Sequence, residues 1–424
     1  GKFGGAAFVL IYLFFLAALG LPIMVMEFSV GRASRQSVAQ SFATLKPAKG
    51  GWSVFSYPML AANYILLMFY TTITGWVIAY TWYSIAGKLS CLSPQQIGET
   101  FGALLADPAA VIFWMALALL VNLAICIAGL QNGVEKVTKM MMCALFIIML
   151  ALAVRSVTLP GAEKGLEFYL KPNVANLTKN GGLWVSLYAA LGQAFFTLSI
   201  GIGGMAIFGS YIDKSRSLMG ESIFVISLDT FVALTAGLII FPAAFAYGVD
   251  VAAGPGLTFI SLPNIFNNMP LGRLWGSLFF VLMSFAAMST VVAIFENVVA
   301  NSMDILGWNR KKACLVNFVV LFALSLPCAL GFNVWSSFAP LGKGTVVLDL
   351  EDFIVSNNLL PLGSLFYIFF CTTRYGWGWD NFIAEANAGE GLKFPRILRL
   401  YITFVVPLII IVVFVYGYIE KFFM

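Results

Sequence analysis

Residues 192–204 read GQAFFTLSIGIGG and lie inside an apolar pattern that otherwise predicts one continuous helix near 183–211. Three of the last four residues are glycines, and each costs a helix about 1 kcal/mol relative to alanine. The pattern therefore predicts unwound backbone near 199–204. Such backbone is tolerated at membrane depth only where it is buried in protein or lines a cavity, and interrupted spans point to transporter binding sites. Close helix packing through small residues is the alternative.

The rest of the chain is apolar enough to make lipid its solvent. Of 424 residues, 61% are hydrophobic and 10% are charged, whereas soluble domains carry about 25% charged residues. Apolar runs of about 18 residues or more recur from end to end, which are too long for barrel strands. We therefore predict an all-α polytopic membrane protein that forms a single domain over 1–424. Its ten predicted spans lie near 5–28, 53–86, 110–130, 136–158, 183–211, 218–248, 272–304, 312–334, 345–372 and 396–420. A short helix is expected in an external loop near 256–268.

The net charge of +5 is spread over short loops between the apolar runs. That distribution sets the orientation of a membrane protein and does not form the patch or stripe of a nucleic-acid-binding surface, so we expect no nucleic-acid partner. The basic loops alternate along the chain, and their side is assigned to the cytoplasm. Both ends then face outward, and we expect one further span ahead of residue 1. The expected location is the cell's inner (plasma) membrane, crossed several times.

Histidine is absent, and the six cysteines form no C-x-x-C spacing. A histidine-ligated metal centre is therefore excluded, and no nucleophile–base pair suggests an enzyme. Three acids lie at predicted membrane depth, where a carboxylate costs roughly 2.5–3.5 kcal/mol and is functional by default. Asp229 is the deepest and the strongest functional candidate. Glu27 lies near a span end beside Arg32 and is expected to be an interfacial structural group; the third acid is Glu296.

Four motifs carry a resemblance to a known family. They are GGAAF followed by GLPIMVMEFSVGR within 4–32, GQAFFTLSIGIGG at 192–204, SFAAMSTVVAI at 284–294, and DNF through KFPR at 380–396. In this order they resemble the neurotransmitter:sodium symporter family, and specifically its bacterial amino-acid members related to LeuT. The resemblance implies a LeuT-like inverted-repeat bundle in which this chain supplies family helices two to eleven. The family's first helix, which contributes to both sodium sites and to the substrate site, is then expected ahead of residue 1.

The resemblance implies Na⁺ as the coupling ion and two sites for it. Ala286, Ser289 and Thr290 lie at i, i+3 and i+4, so a carbonyl and two hydroxyls share one helix face, which suits a hard cation. They match the family's second sodium site; the alternative is that both hydroxyls bond back to the preceding helical turn. Thr197 and Asp229 match the first site, where family members commonly have asparagine in place of the acid.

The resemblance also nominates residues for substrate and for gating. The tyrosine would donate its hydroxyl to an amino-acid carboxylate, and the leucine, phenylalanine and isoleucines would hold an apolar side chain. The substrate set is Leu66, Tyr70, Phe196, Thr197, Ser199, Ile202, Thr290 and Ile294. Asp304 and Asp352 match the family's internal and external gate acids; the alternative is that they are solvated loop-end carboxylates.

The function implied is sodium-coupled symport of a neutral, hydrophobic amino acid by alternating access. Chloride-dependent relatives hold the anion with groups that match Tyr12, Gln193 and Thr197, together with a serine that corresponds to Ala233. Because Asp229 lies one helical turn before Ala233, its charge is expected to replace chloride. The alternative function is an amino-acid-binding membrane receptor that does not transport.

Overall fold

The computed structural model describes residues 3, 5–47, 51–173, 177, 182–249 and 254–423, so Gly4 of the first motif lies outside the described residues. Helices make up its regular structure, and none of the described residues forms a β-strand. The helices are α1 (Ala6–Ser34), α2 (Val38–Leu45), α3 (Trp52–Ile85), α4 (Pro94–Ala106), α5 (Pro108–Ile127), α6 (Leu130–Val157), α7 (Glu163–Leu170), α8 (Leu183–Leu198), α9 (Gly204–Tyr211), α10 (Leu218–Ala246), α11 (Leu262–Asn268), α12 (Gly272–Leu306), α13 (Arg310–Leu330), α14 (Val347–Thr372), α15 (Trp379–Ala386) and α16 (Arg396–Ile419).

Nine of these helices are long and apolar enough to cross a membrane: α1, α3, α5, α6, α10, α12, α13, α14 and α16. They correspond to nine of the ten predicted spans, and most of their ends agree within a few residues. The remaining predicted span is divided into α8 and α9, neither of which is long enough to cross alone. The short helix expected near 256–268 is present as α11, preceded by a π-helical turn at Leu257–Ser261. The all-α fold class is confirmed.

The bundle has an inner and an outer group of helices. Most of α3 and α14 is buried, whereas α10 and α16 expose most of their apolar surface to the surroundings. Lipid tails are as apolar as leucine, so small residues that allow close packing drive helix association in a membrane. At the α1–α9 contact, a Cβ on Gly31 would lie 1.8 Å from the Ala206 carbonyl oxygen. A side chain there would force the two helices apart.

Two arginine side chains of the bundle are paired with carboxylates. Arg32 is fully buried, and its Nε donates to Glu385 Oε1 at 2.6 Å while its Nη1 donates to the Arg216 carbonyl at 2.8 Å. Arg310 donates to both carboxylate oxygens of Glu296, at 3.0 and 2.5 Å. Because an unpaired charge at these positions would be strongly destabilising, we assign both pairs a structural role.

Candidate functional site

The centre of the site is five residues of non-helical backbone between α8 and α9. Ser199 ends α8 in the left-handed region at φ 49°, and Gly201 and Gly203 follow at 94° and 79°. Helix α9 begins only at Gly204. The predicted unwound segment near 199–204 is therefore confirmed, and it presents backbone groups that no helical hydrogen bond satisfies.

Two neighbours hold this segment in place. The N–H of Gly201 donates to Oε1 of Glu27, whose side chain is fully buried within α1. On the other side, a Cβ on Gly201 would lie 2.2 Å from the Leu360 carbonyl oxygen, and one on Gly363 would lie 1.8 Å from the Gly201 carbonyl oxygen. The expectation that Glu27 is an interfacial group is wrong, because its carboxylate turns inward to the unwound segment.

A cavity of about 230 Å³ lies beside the unwound segment. Six of the eight predicted substrate residues line it, together with the deepest predicted acid. Its lining residues are Leu66, Tyr70, Gln193, Phe196, Thr197, Ser199, Asp229, Thr290 and Leu360. One wall is thus apolar, and another carries hydroxyls and a carboxylate.

A second cavity, of about 330 Å³, receives the two remaining predicted substrate residues, Ile202 and Ile294. Ser199 and Thr290 line both cavities, so the two volumes adjoin at these side chains. Ser289 lines the second cavity but not the first. The structure therefore divides the predicted substrate set between two neighbouring cavities, with Phe196 in the first and Ile202 in the second.

Thr197 and Asp229 meet at the first cavity. The Thr197 hydroxyl lies 3.0 Å from each carboxylate oxygen of Asp229, and the Tyr12 hydroxyl donates to Oδ2 at 3.4 Å. Gln193 lines the same cavity. The side chains that the resemblance associates with the first ion site and with chloride are thus grouped around one half-buried carboxylate.

The three residues predicted for the second ion site also converge. Ser289 Oγ donates to the Ala286 carbonyl at 2.9 Å, and Thr290 Oγ1 donates to it at 3.2 Å. The back-bonding given above as the alternative is therefore present. The same geometry brings three neutral oxygens together, and each hydroxyl keeps lone pairs that can face a cation.

The two predicted gate acids lie apart from the cavities and from each other. Asp304 Oδ2 accepts the backbone N–H of Ser37 at 2.7 Å, and Asp352 Oδ1 accepts the Ser356 hydroxyl at 2.6 Å. Neither forms an ion pair among the residues that the structure describes. Their gating role stays a prediction.

Leu360 and Asn63 are two of the lining residues that were not predicted from the sequence. Leu360 closes one side of the first cavity, but a leucine in an apolar span carries no signal that distinguishes it from its neighbours. Asn63 lines the second cavity and is fully buried. A buried amide within an apolar run was a usable signal, because membrane helices place such groups against other protein.

An all-helical membrane bundle with one discontinuous helix, whose break borders a partly polar cavity, defines the class of secondary transporters. Within that class, the chain belongs to the sodium:neurotransmitter symporter family, whose sequence model matches residues 1–99 and 95–422. The protein is a sodium-dependent transporter and not an enzyme. It is a multi-pass membrane protein, for which the plasma membrane is the expected location.

Three individual similarities place the chain within the family. It is 34% identical to the uncharacterized sodium-dependent transporter YhdH of Bacillus subtilis, over 98% of this chain and 90% of that protein. It is 24% identical to the human sodium- and chloride-dependent taurine transporter, over 90% of this chain and 67% of that protein. The crystal structure of MhsT in complex with L-phenylalanine matches with a TM-score of 0.87 and 36% identity, covering 98% of this chain and 92% of that one. The LeuT-like fold is thereby confirmed.

Proposed function

We propose that this transporter couples Na⁺ entry to uptake of a neutral, hydrophobic amino acid and does so without chloride. The observation that carries the proposal is the group formed by Asp229, Thr197 and Tyr12 beside the unwound segment. It puts one fixed negative charge and two hydroxyls at a partly apolar cavity. The carboxylate and the hydroxyls suit a sodium ion, and the apolar part of the cavity suits an uncharged side chain.

The amino-acid substrate is held at its two ends by different chemistry. The Tyr70 hydroxyl and the exposed N–H groups of the unwound segment are donors for a carboxylate, which helix ends also favour electrostatically. Leu66 and Phe196 supply the apolar wall of the first cavity, and Ile202 and Ile294 supply that of the second. The relative MhsT has been crystallised with L-phenylalanine, which supports a bulky apolar side chain here.

Charge argues against charged side chains as substrates. Among the described residues that line the two cavities, Asp229 is the one ionisable acid and no lysine or arginine is present. A buried charge without a partner is expensive, so a glutamate side chain has nothing to pair with. A lysine side chain would compete with Na⁺ for the single carboxylate. Both are expected to be poor substrates.

Two sodium ions occupy separate oxygen-rich positions. Thr197 and Asp229 provide the first, and Ala286, Ser289 and Thr290 provide the second. Two cations and a zwitterion leave an excess of positive charge in a medium of low dielectric constant, where such charge is costly. The Asp229 carboxylate offsets it. The human taurine relative is named as chloride-dependent, whereas this chain has Asp229 at the site and Ala233 one turn beyond.

Transport follows alternating access by the chain as a single domain. Sodium binding favours the outward state and completes the amino-acid site, and Phe196 and Tyr70 then close over the substrate. Asp352 and Asp304 belong to the external and internal gates. Release to the cytoplasm is driven by the sodium gradient and by the membrane potential, which contributes about 2.3 kcal/mol per charge per 100 mV.

The test is uptake of labelled phenylalanine and leucine into proteoliposomes that contain the protein, under an inward sodium gradient. Uptake should require Na⁺, disappear when choline replaces it, and increase with an inside-negative potential. Exchange of internal unlabelled substrate for external label should also occur. Saturable binding without either uptake or exchange would instead identify a receptor and contradict the proposal.

A further inference from the structure

Three buried asparagines form a continuous hydrogen-bonded chain through the bundle. Asn63 Nδ2 donates to the Ile202 carbonyl at 2.9 Å, and Asn297 Nδ2 donates to Asn63 Oδ1 at 2.9 Å. Asn301 Nδ2 then donates to Asn297 Oδ1 at 3.0 Å, and the backbone N–H of Ala39 donates to Asn301 Oδ1 at 3.0 Å. All three asparagine side chains are fully buried. We call this set the asparagine relay.

The two ends of the relay are backbone groups, and they favour one direction of its hydrogen bonds. The same direction is favoured within the helices, because Asn63 Nδ2 also donates to the Met59 carbonyl and Asn301 Nδ2 to the Asn297 carbonyl, each at 2.7 Å. The carbonyl of Ile202 can only accept a hydrogen bond, so Asn63 must turn its amide nitrogen toward it. The N–H of Ala39 can only donate, so Asn301 must turn its amide oxygen toward it. Every bond in between then points the same way. Aligned bonds polarise one another, and a break at one end weakens the rest.

One end of the relay lies in the substrate region. Ile202 belongs to the unwound segment, and its side chain lines the second cavity. A ligand in that cavity therefore contacts the residue whose carbonyl anchors the relay. Because Ile202 is outside both helices, its carbonyl has no helical hydrogen bond to hold its orientation.

The other end lies at α2, in a loop that its basic residues assign to the cytoplasm. The first N–H groups of a helix need partners from outside it, and the N-cap Ser37 does not supply one, since its hydroxyl makes no hydrogen bond among the described residues. Asn301 accepts from Ala39 and Asp304 accepts from Ser37, so two side chains one turn apart on α12 cap α2 together. The relay thus ends beside the predicted internal gate acid.

We propose that Asn63, Asn297 and Asn301 are positioning residues that couple the unwound segment to closure of the cytoplasmic side through α2. The inference rests on the proposed sodium-coupled transport. When Na⁺ is bound and the relay is intact, the Ile202 carbonyl keeps its orientation. Asn301 then stays turned toward Ala39 and holds α2 against α12. A rearrangement of the unwound segment releases that cap. A purely structural role would not require three hydrogen-bonded asparagines, because apolar side chains of similar volume pack at least as well in such a position.

Asn297 is the most informative position for a test. Its side chain makes no hydrogen bond to Ile202 or to Ala39, and it lines neither cavity. Asn297→Leu keeps a similar volume and removes the middle of the relay. Asn122→Leu is the matched control, since Asn122 is also fully buried in a span, and among the described residues its side chain bonds only within its own helix, to Cys126.

The measurement is amide hydrogen exchange of residues 37–45 in lipid nanodiscs, with Na⁺ or with choline. In the native protein, Na⁺ should slow exchange of the Ser37 and Ala39 amides. In Asn297→Leu, exchange should be about five- to tenfold faster and the response to Na⁺ should disappear, as expected for loss of one or two buried hydrogen bonds. Asn122→Leu should keep both the rate and the response. Equal behaviour of the two variants would overturn the relay.

Uptake separates this inference from the proposed function. Asn63→Leu, Asn301→Leu and the double variant should each lose about tenfold in sodium-driven uptake, with the double variant no worse than either single one, as residues in one network behave. Additive losses would overturn the coupling. If the native protein shows no sodium-driven uptake, the proposed function fails, whereas faster α2 exchange in Asn297→Leu without Na⁺ still reports whether the relay reaches α2.

Discussion

The hydroxyl of Thr197 on α8 lies 3.0 Å from both carboxylate oxygens of Asp229 on α10, a residue 32 positions later in the sequence. Because the hydroxyl can donate to either carboxylate oxygen, it lies between the two oxygens. When a cation takes the place of that proton contact, the same three oxygens face it. The pair therefore offers oxygens that suit the proposed sodium ion, together with a carboxylate.

The proposed chloride independence rests on that charge. Uptake by the native protein should persist when gluconate replaces chloride, because Asp229 already balances the bound cations. Asp229→Asn should lose uptake or make it chloride-dependent. Adding Ala233→Glu to that variant should partly restore uptake, since residue 233 lies one turn away on the same helix face. The measurement is initial uptake rate in the two anions, and loss of native uptake in gluconate would refute the assignment.

Substrate selection is expected to follow side-chain charge and size. Leucine, phenylalanine and other apolar amino acids should compete with labelled substrate, while lysine and glutamate should not do so at the same concentrations. A glutamate side chain finds no cation to pair with in the cavities, and a lysine side chain would have to displace Na⁺ from Asp229. Narrowing the second cavity with Ile202→Trp should discriminate against phenylalanine more than against alanine. Inhibition constants from competition uptake assays test both statements. Strong inhibition by lysine would mean that Asp229 faces the substrate side chain.

The spans could be predicted because lipid requires long apolar runs, which are visible in one sequence. The break between α8 and α9 could be predicted because glycine is costly in a helix. The partners of the break could not. Glu27 binds the N–H of Gly201 across 174 residues of sequence, and no local pattern predicts such a contact. For the same reason the pairing of Asn63 with Asn297, 234 residues apart, was not predicted.

The candidate ion sites depended on two kinds of information. The spacing of Ala286, Ser289 and Thr290 implies a shared helix face, and the structure brings their oxygens together. Their role in binding sodium came from the resemblance and stays a prediction. The division of Phe196 and Ile202 between two cavities was beyond the sequence, because unwound backbone has no period from which side-chain directions can be calculated.

The proposed second sodium site is testable through its hydroxyls. Thr290→Val removes one oxygen and keeps the branched shape, so the sodium concentration for half-maximal uptake should rise about tenfold, as for loss of about 1.4 kcal/mol. The control is Thr235→Val on α10, which also removes a hydroxyl that bonds back along its helix, to the Phe231 carbonyl at 2.8 Å. An equal shift in both variants would show that the hydroxyl of Thr290 serves its helix and not the ion.

The contact between Gly201 and Gly363 should not tolerate a single added methyl group. In Gly363→Ala the new Cβ would lie 1.8 Å from the Gly201 carbonyl oxygen, and a carbonyl fixed in the backbone cannot move aside as a flexible side chain would. Either α14 shifts outward or the unwound segment changes shape, and both disturb the cavity that Leu360 and Ser199 line. We expect a lower melting temperature in detergent and uptake reduced at least about tenfold, since overpacking typically costs 1–3 kcal/mol.

The control is Gly98→Ala in α4, where nothing lies within 4 Å of the new Cβ. That change should be neutral or stabilising by up to about 1 kcal/mol, because alanine is the better helix former. Full uptake and unchanged melting in Gly363→Ala would show that α14 does not confine the unwound segment.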